Sequence, residues 1–156
     1  MERDNQSNIK IVDLGSIVAD STGDDDGSVV LDTKGARSVT FFIDLPTALT
    51  TQVSYFQVLE SSDNAVADAF AELGSGKYLP TSKEVEWTSD SFGIKLVNPA
   101  STLKQTFGCF SAERYLKPRI HTVTSQASLT IPVYAVLEMD EKPTNYVADT
   151  AFDSLP

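Results

Sequence analysis

The sequence predicts a mostly-β chain, a β-sandwich of jelly-roll-like type with one short helix and extended terminal arms. Three observations carry that expectation. Ser and Thr account for 32 of the 156 residues, and Thr favours strands whereas Ser, with Gly and Asp, favours turns. Short β-branched and aromatic runs recur between turn-forming clusters. Only one stretch has a helical period. Residues 37–45, RSVTFFIDL, alternate most cleanly: Val39, Phe41, Ile43 and Leu45 share one face, and Thr40, Phe42 and Asp44 share the other. Residues 52–59, QVSYFQVL, are apolar on both faces, and the Thr-rich PTALTTQ between these two runs reads as a hairpin loop. Further strands are expected at 92–97, 106–110, 115–124 and 129–137, with weaker ones at 9–12, 16–19 and 28–31. Val66, Ala69, Phe70 and Leu73 recur at helical spacing, with Ser62 or Asp63 as N-cap and Gly74 as terminator. Pro118 and Pro132 interrupt two late strands, so an edge or a bulge is expected at each, because proline cannot donate to a ladder.

The length predicts one domain. The division is a short arm at 1–8, a single sandwich at 9–142 and an arm at 143–156 carrying Tyr146, Val147, Phe152 and Leu155. A single Cys, Cys109, leaves no intrachain disulfide. The apolar runs are far shorter than the ~18 residues that suggest a membrane span, and MERDNQSNIK carries no apolar signal region. The net charge of −10 opposes general binding to nucleic acid or to an anionic membrane.

The chemistry-bearing residues point away from catalysis. His121 is the only His and sits within a strand beside Arg119 and Lys117. No nucleophile elbow surrounds any Ser, and Cys109 reads as a small core residue. Glu84 and Glu86 flank Val85 and read as a solvated strand face. The run at 20–27, DSTGDDDG, holds the best metal candidate, but an EF-hand register from Asp20 puts Asp25 where Gly is required and Leu31 where Glu is required. An acidic turn between two strands is the reading preferred there. The GSGK at 74–77 lacks both the earlier Gly of a P-loop, Ala71 standing in its place, and the following Ser or Thr, which is Tyr78. No catalytic residue, metal or cofactor is expected.

Charge is uneven. Residues 104–137 are the only net-positive block, at +3, and 138–156 carry −4. Two readings of Lys104, Arg114, Lys117 and Arg119 stand: a solvated strand face paired across to acidic neighbours, or a patch meeting an acidic protein surface, such as a second copy of the chain. Tyr146, Phe152 and Leu155 either fold back on their own subunit or dock on a neighbour by strand addition. These seven residues are the candidate partner interface.

Two segments then bring a family into view. Residues 31–63, LDTKGARSVTFFIDLPTALTTQVSYFQVLESSD, hold a D-T-K-G lead-in, S-V-T-F and a later E-S-x-D strand end. Residues 113–143 hold R-Y-L-K-x-x-I and a closing apolar strand ending near Pro143. Together they cover 64 of 156 residues, and the pattern resembles the capsid decoration, or cement, proteins of tailed bacteriophages. The family pattern has a glycine-rich basic end near the final Pro, where this chain continues through acidic EMDEKPTNYVADTAFDSLP. The resemblance implies a jelly-roll-like structural protein of the virion, assembled in the host cytoplasm and located on the capsid surface. It would form homo-oligomers and bind the major capsid protein, bridging capsomers against internal pressure. A neck, tail or baseplate adaptor is the alternative. A carbohydrate-binding sandwich using Trp87, Tyr78 and Tyr55 as stacking faces is a third.

Overall fold

A computed structural model describes residues 8–20, 22–45, 53–74, 77–79, 93–96, 104–109, 111–124 and 128–139. Within them the strands are β1 (Ile9–Ala19), β2 (Gly23–Asp26), β3 (Leu31–Asp32), β4 (Ala36–Asp44), β5 (Val53–Ser61), β6 (Ala71–Glu72), β7 (Tyr78–Leu79), β8 (Ile94–Lys95), β9 (Lys104–Cys109), β10 (Tyr115–Thr124) and β11 (Leu129–Met139). One sheet has the order β1-β11-β4-β9-β7 and the other β2-β10-β5-β6, with β3 also on β10 and β8 on β5. All pairings are antiparallel. The pairing is nested: β1 meets β11, β2 and β3 meet β10, β4 meets β9, and β5 meets β6 and β8.

Period-2 patterning explains the layers. On β11, Leu129, Ile131, Val133, Ala135 and Leu137 all face the core, and on β10 Leu116, Ile120 and Thr122 do the same. Strand β1 changes parity midway. Leu14 is buried before Gly15, and Ile17 and Ala19 after it. One extra residue in β1 makes a bulge between Asp13 and Ser16. Gly15 supplies its positive φ of 75°, and the Asp13 carboxylate accepts the Gly15 N–H at 2.8 Å. The two short strands expected at 9–12 and 16–19 are therefore one bulged strand.

Both interrupting prolines lie in interior strands, not at edges. The ladder breaks where they need it to. Pro118 falls between the end of β2 at Asp26, opposite Arg119, and β3 at Leu31, opposite Leu116. There the Gly27 N–H donates to the Pro118 carbonyl at 2.8 Å. A side chain on Gly27 would meet the Pro118 ring at 2.8 Å and its carbonyl oxygen at 3.0 Å, so only glycine lets the backbone pass this close. Pro132 pairs with Ser16, the first residue beyond the β1 bulge.

The core closes on a phenyl cluster spanning both sheets. Phe56 of β5 meets Phe41 of β4 with centroids 5.3 Å apart at 57°, and stacks on Phe107 of β9 at 5.4 Å and 16°. At one margin Tyr78 of β7 reaches the other sheet, its hydroxyl accepting the Val58 N–H at 3.0 Å. Nearby Glu60 of β5 receives Lys77 at 2.5 Å and the Ser111 hydroxyl. These contacts tie the β7–β9 edge to β5.

Three sequence expectations are overturned. Residues 66–73 form no helix: Val66 is 85% exposed and Ala71–Glu72 pair as β6. Asp63 does collect orphan amides as an N-cap would, accepting from Val66, Ala67 and Asp68 at 3.0, 2.7 and 3.1 Å. Asn64 and Ala65, however, both take φ of 62°, a left-handed turn that cannot propagate a right-handed helix. The expected hairpin between β4 and β5 is absent because the two strands belong to different sheets. The acidic turn expected at 20–27 contains strand β2, and 28–30 is not strand. Residues 1–7 and 140–156, which include nearly all of the first arm and the whole of the second, lie outside the described residues.

Two substitutions test this packing. Phe56→Ala removes the ring shared by both sheets and should cost about 3–5 kcal/mol in a denaturant titration. Gly27→Ala forces the segment off Pro118 and should cost about 1–3 kcal/mol, with hydrogen-exchange protection falling first in β2 and β3.

Candidate functional site

The two sheets present opposite chemistry to solvent. On the six-stranded sheet, alternation turns Lys117, Arg119 and His121 of β10 outward while Leu116 and Ile120 turn in. Register sets β2 alongside, with Asp26 opposite Arg119 and Asp24 opposite His121. Lys117 reaches Asp26 at 2.8 Å. Arg119 reaches Asp26 at 2.5 Å, Asp24 at 3.0 Å and Glu72 of β6 at 3.9 Å. His121 Nδ1 lies 2.5 Å from Asp24. Lys117 also stands 5.9 Å over the Phe70 ring. Beneath the cations Tyr55, Gln57 and Leu59 of β5 are buried.

The same alternation disperses the acidic run. Asp24 and Asp26 turn to the cations, and Asp25, opposite Ile120, turns the other way. Among the described residues no group of three His, Cys, Asp or Glu converges as a metal site. Asp25 Oδ2 is buried without a hydrogen-bond partner among them. Burial, then the neighbouring charges of Asp20, Asp24 and Asp26, push the Asp25 carboxyl above its usual range. An inward-leaning charge on the edge strand β2 discourages another strand from adding there.

Residues 31–63 and 113–143 meet at one turn. Thr33, Lys34, Gly35 and Ala36 make a tight turn, closed by the Ala36 N–H on the Thr33 carbonyl at 2.8 Å, with Gly35 at φ 77°. Arg114 grips Asp32 in a fork, Nε at 2.8 Å and Nη2 at 2.6 Å. The Thr33 N–H and hydroxyl both donate to the Arg114 carbonyl, at 2.9 and 2.8 Å. D-T-K-G and R-Y are thus one structural lock. The Arg114 hydrogen bonds hold the Asp32 carboxyl below the usual range, and Asp32 in turn raises Arg114. For Asp26, burial pushes upward, but the bonds from Arg119 and Lys117 outweigh it and the carboxyl is lowered. Asp63 is lowered likewise, its Ala67, Asp68 and Val66 amides overcoming desolvation.

The outer face of the five-stranded sheet carries an apolar patch. In register, Ile11 of β1 stands beside Val136 of β11, and Tyr134 of β11 beside Phe42 of β4. Ile11 is 71% exposed, and Ile9, Val18, Phe42 and Tyr134 are exposed as well. Ile11, Phe42, Asp44, Tyr134 and Val136 line a depression of about 300 Å³. Asp13 and Glu138 stand on the same face, on either side of this patch. Large apolar groups gathered on one exposed face mark an interaction surface.

The sequence-derived candidates therefore separate. Arg114, Lys117 and Arg119 are engaged within the chain, each by a carboxylate across a strand. Lys104 stands opposite Asp44 in register, on the other sheet. Tyr146, Phe152 and Leu155 lie outside the described residues. Cys109 faces the core, its thiol pushed up to about 12 by burial and then by Glu60, whereas His121 faces outward from the opposite sheet. Tyr55 and Tyr78 are buried, so neither offers a sugar-stacking face, and Trp87 is not among the described residues. Sequence reasoning missed Ile11, Tyr134 and Val136 as a surface. The available signal was the second Phe of TFFID, which alternation places opposite the core. Comparison with protein-family models, curated proteins and solved structures returned no match.

The pH dependence follows in sign. Asp26, Asp32 and Asp63 are lowered, so their stabilisation is complete above the ordinary carboxylate range and is lost as pH falls through their depressed values. Asp25 is raised, so its ionisation costs stability at neutral pH, and the cost fades as it protonates. The denaturation midpoint should hold on acidification to about pH 5 and fall below about pH 4. Asp25→Asn should raise the midpoint at pH 7, with the gain vanishing below the ordinary carboxylate value.

Proposed function

We propose that this chain is a structural virion protein that decorates and stabilises a tailed-phage capsid by bridging capsomers, and that it works by binding rather than by catalysis. The observation that carries the reading is the apolar outer face of the five-stranded sheet, displayed on a sandwich whose other outer face consumes its cations internally. A repeated lattice makes modest contacts sufficient, because many copies raise effective affinity without new contacts. The nested pairing supports a jelly-roll reading: each strand of the first half pairs with its counterpart in the second, first with last, as in a long hairpin rolled into two sheets. The contact between D-T-K-G and R-Y supports the resemblance, since both segments serve one lock. The acidic surface suits a place outside the shell, away from packaged DNA. Other copies of the chain and the major capsid protein are the partners this reading names.

Purified expanded shells lacking the protein provide the test. The full chain should co-sediment with them at a copy number on the order of the capsid subunits. Phe42→Asp with Tyr134→Asp should weaken binding at least about tenfold, or 1.4 kcal/mol, while circular dichroism stays native, because both side chains are exposed. Deleting residues 145–156 should weaken it too. A chain that never sediments with shells overturns the proposal; a copy number fit for one ring moves it to the neck or tail.

A further inference from the structure

We propose that the partner segment seated on the Ile11–Phe42–Tyr134–Val136 face is aliphatic and flanked by Lys or Arg. This rests on the interaction-surface reading and names the chemistry of its ligand. Running along β11, the outward positions are Tyr134, Val136 and Glu138; across the sheet, Tyr134 lies between Asp13 and Phe42, and Glu138 between Ile9 and Ser38. The apolar centre thus has a carboxylate at one side and another at one end. Asp13 accepts only the Gly15 N–H at 2.8 Å, and Glu138 the Ser38 hydroxyl at 3.2 Å. Neither meets a cation among the described residues, in contrast to Asp24, Asp26 and Asp32 on the opposite side. The third acid of the face, Asp44, stands opposite Lys104 in register and is already engaged within the chain, so the margin is drawn from Asp13 and Glu138 alone. An apolar centre with a negative margin selects an occupant of the converse pattern.

The same charges argue against the two acidic occupants. A second copy laid face to face would gather Asp13 and Glu138 of both copies around one interface, in a chain of net charge −10. The chain's own residues 140–156 carry four acids and one Lys, net −3, and would bring Asp140, Glu141, Asp149 and Asp153 to the same margin. Like charges so placed disfavour both. Other copies on a lattice would then meet through surfaces other than this one.

The experiment uses the full chain and an immobilised set of short extended peptides of alternating Val and Thr, flanked either by Lys or by Glu. The Lys-flanked peptides should retain the chain at least about tenfold more strongly than the Glu-flanked ones. Asp13→Asn with Glu138→Gln, which keeps the Gly15 and Ser38 contacts, should erase that preference. Asp20→Asn, removing an exposed charge elsewhere, should leave it. Tyr134→Asp should abolish retention of both sets. Equal retention of the two sets, or an equal loss with Asp20→Asn, overturns the proposal. Tyr134-dependent dimerisation in sedimentation also overturns it, in favour of a second copy. Peptide binding that emerges only after deletion of residues 140–156 overturns it in favour of the chain's own C-terminal segment. Shell binding without peptide discrimination sinks this inference alone, whereas peptide discrimination without shell binding sinks only the virion reading.

Discussion

Lys117 and Arg119 occupy alternate positions of one strand, with His121 next in the row, and that pair of cations governs how the rest of the surface is spent. Successive outward side chains on a strand start only about 7 Å apart. At an effective dielectric of about 20, two unit charges at that distance repel by about 2 kcal/mol. The row is tolerable because β2 lays Asp24 and Asp26 beside it and β6 brings Glu72 within reach. Most of the cations in the one net-positive block of the chain are thereby consumed inside the fold. On the outer face of the other sheet stand the apolar side chains around Ile11, Phe42 and Tyr134, with Asp13 and Glu138 beside them.

The same pairing locates the edges. Strand β2 is short, carries an inward-leaning Asp25 and ends where Gly27 presses on Pro118. Such an edge is poorly suited to accept another strand. The Gly15 bulge reorients the second half of β1, while Tyr78 and Glu60 anchor β7 and β9 to β5. Binding through strand addition is thus discouraged at β2, and binding through a sheet face is left to the five-stranded layer.

Much of this was legible in the residues, and the failures have a common cause. Clean alternation in RSVTFFIDL and in YLKPRIHTVT placed β4 and β10 almost to the residue, because period-2 burial is written locally. Cross-strand pairing of the basic stripe to acids was one of the two readings its residues allowed, beside a partner patch. What local pattern cannot supply is which strand lies beside which. β4 and β5 follow one another in sequence, so a hairpin was the natural expectation, yet the nested topology sends them to different sheets. At residues 62–70, Asp63 and the apolar spacing carried a helix signal, and the left-handed Asn64 and Ala65 overrode it. The apolar face was missed for a related reason: Ile11, Val136, Tyr134 and Phe42 come from three strands that only the sheet order brings together.

An outer face of this kind is costly for a lone chain, and that cost is an argument about its use. Ile11 and Tyr134 contribute nothing to the core, and polar residues at those positions would leave the inward sets of β1 and β11 untouched. On β10, by contrast, Lys117 and Arg119 are each answered by an acid. The contrast between a closed electrostatic account on one sheet and open apolar surface on the other points to a folded unit whose five-stranded layer is completed from outside. The proposed virion role fits completion of this kind: a partner docking on a sheet face need break no ladder bond of the sandwich, and any reorganisation of the unit would subtract from the stiffness it supplies.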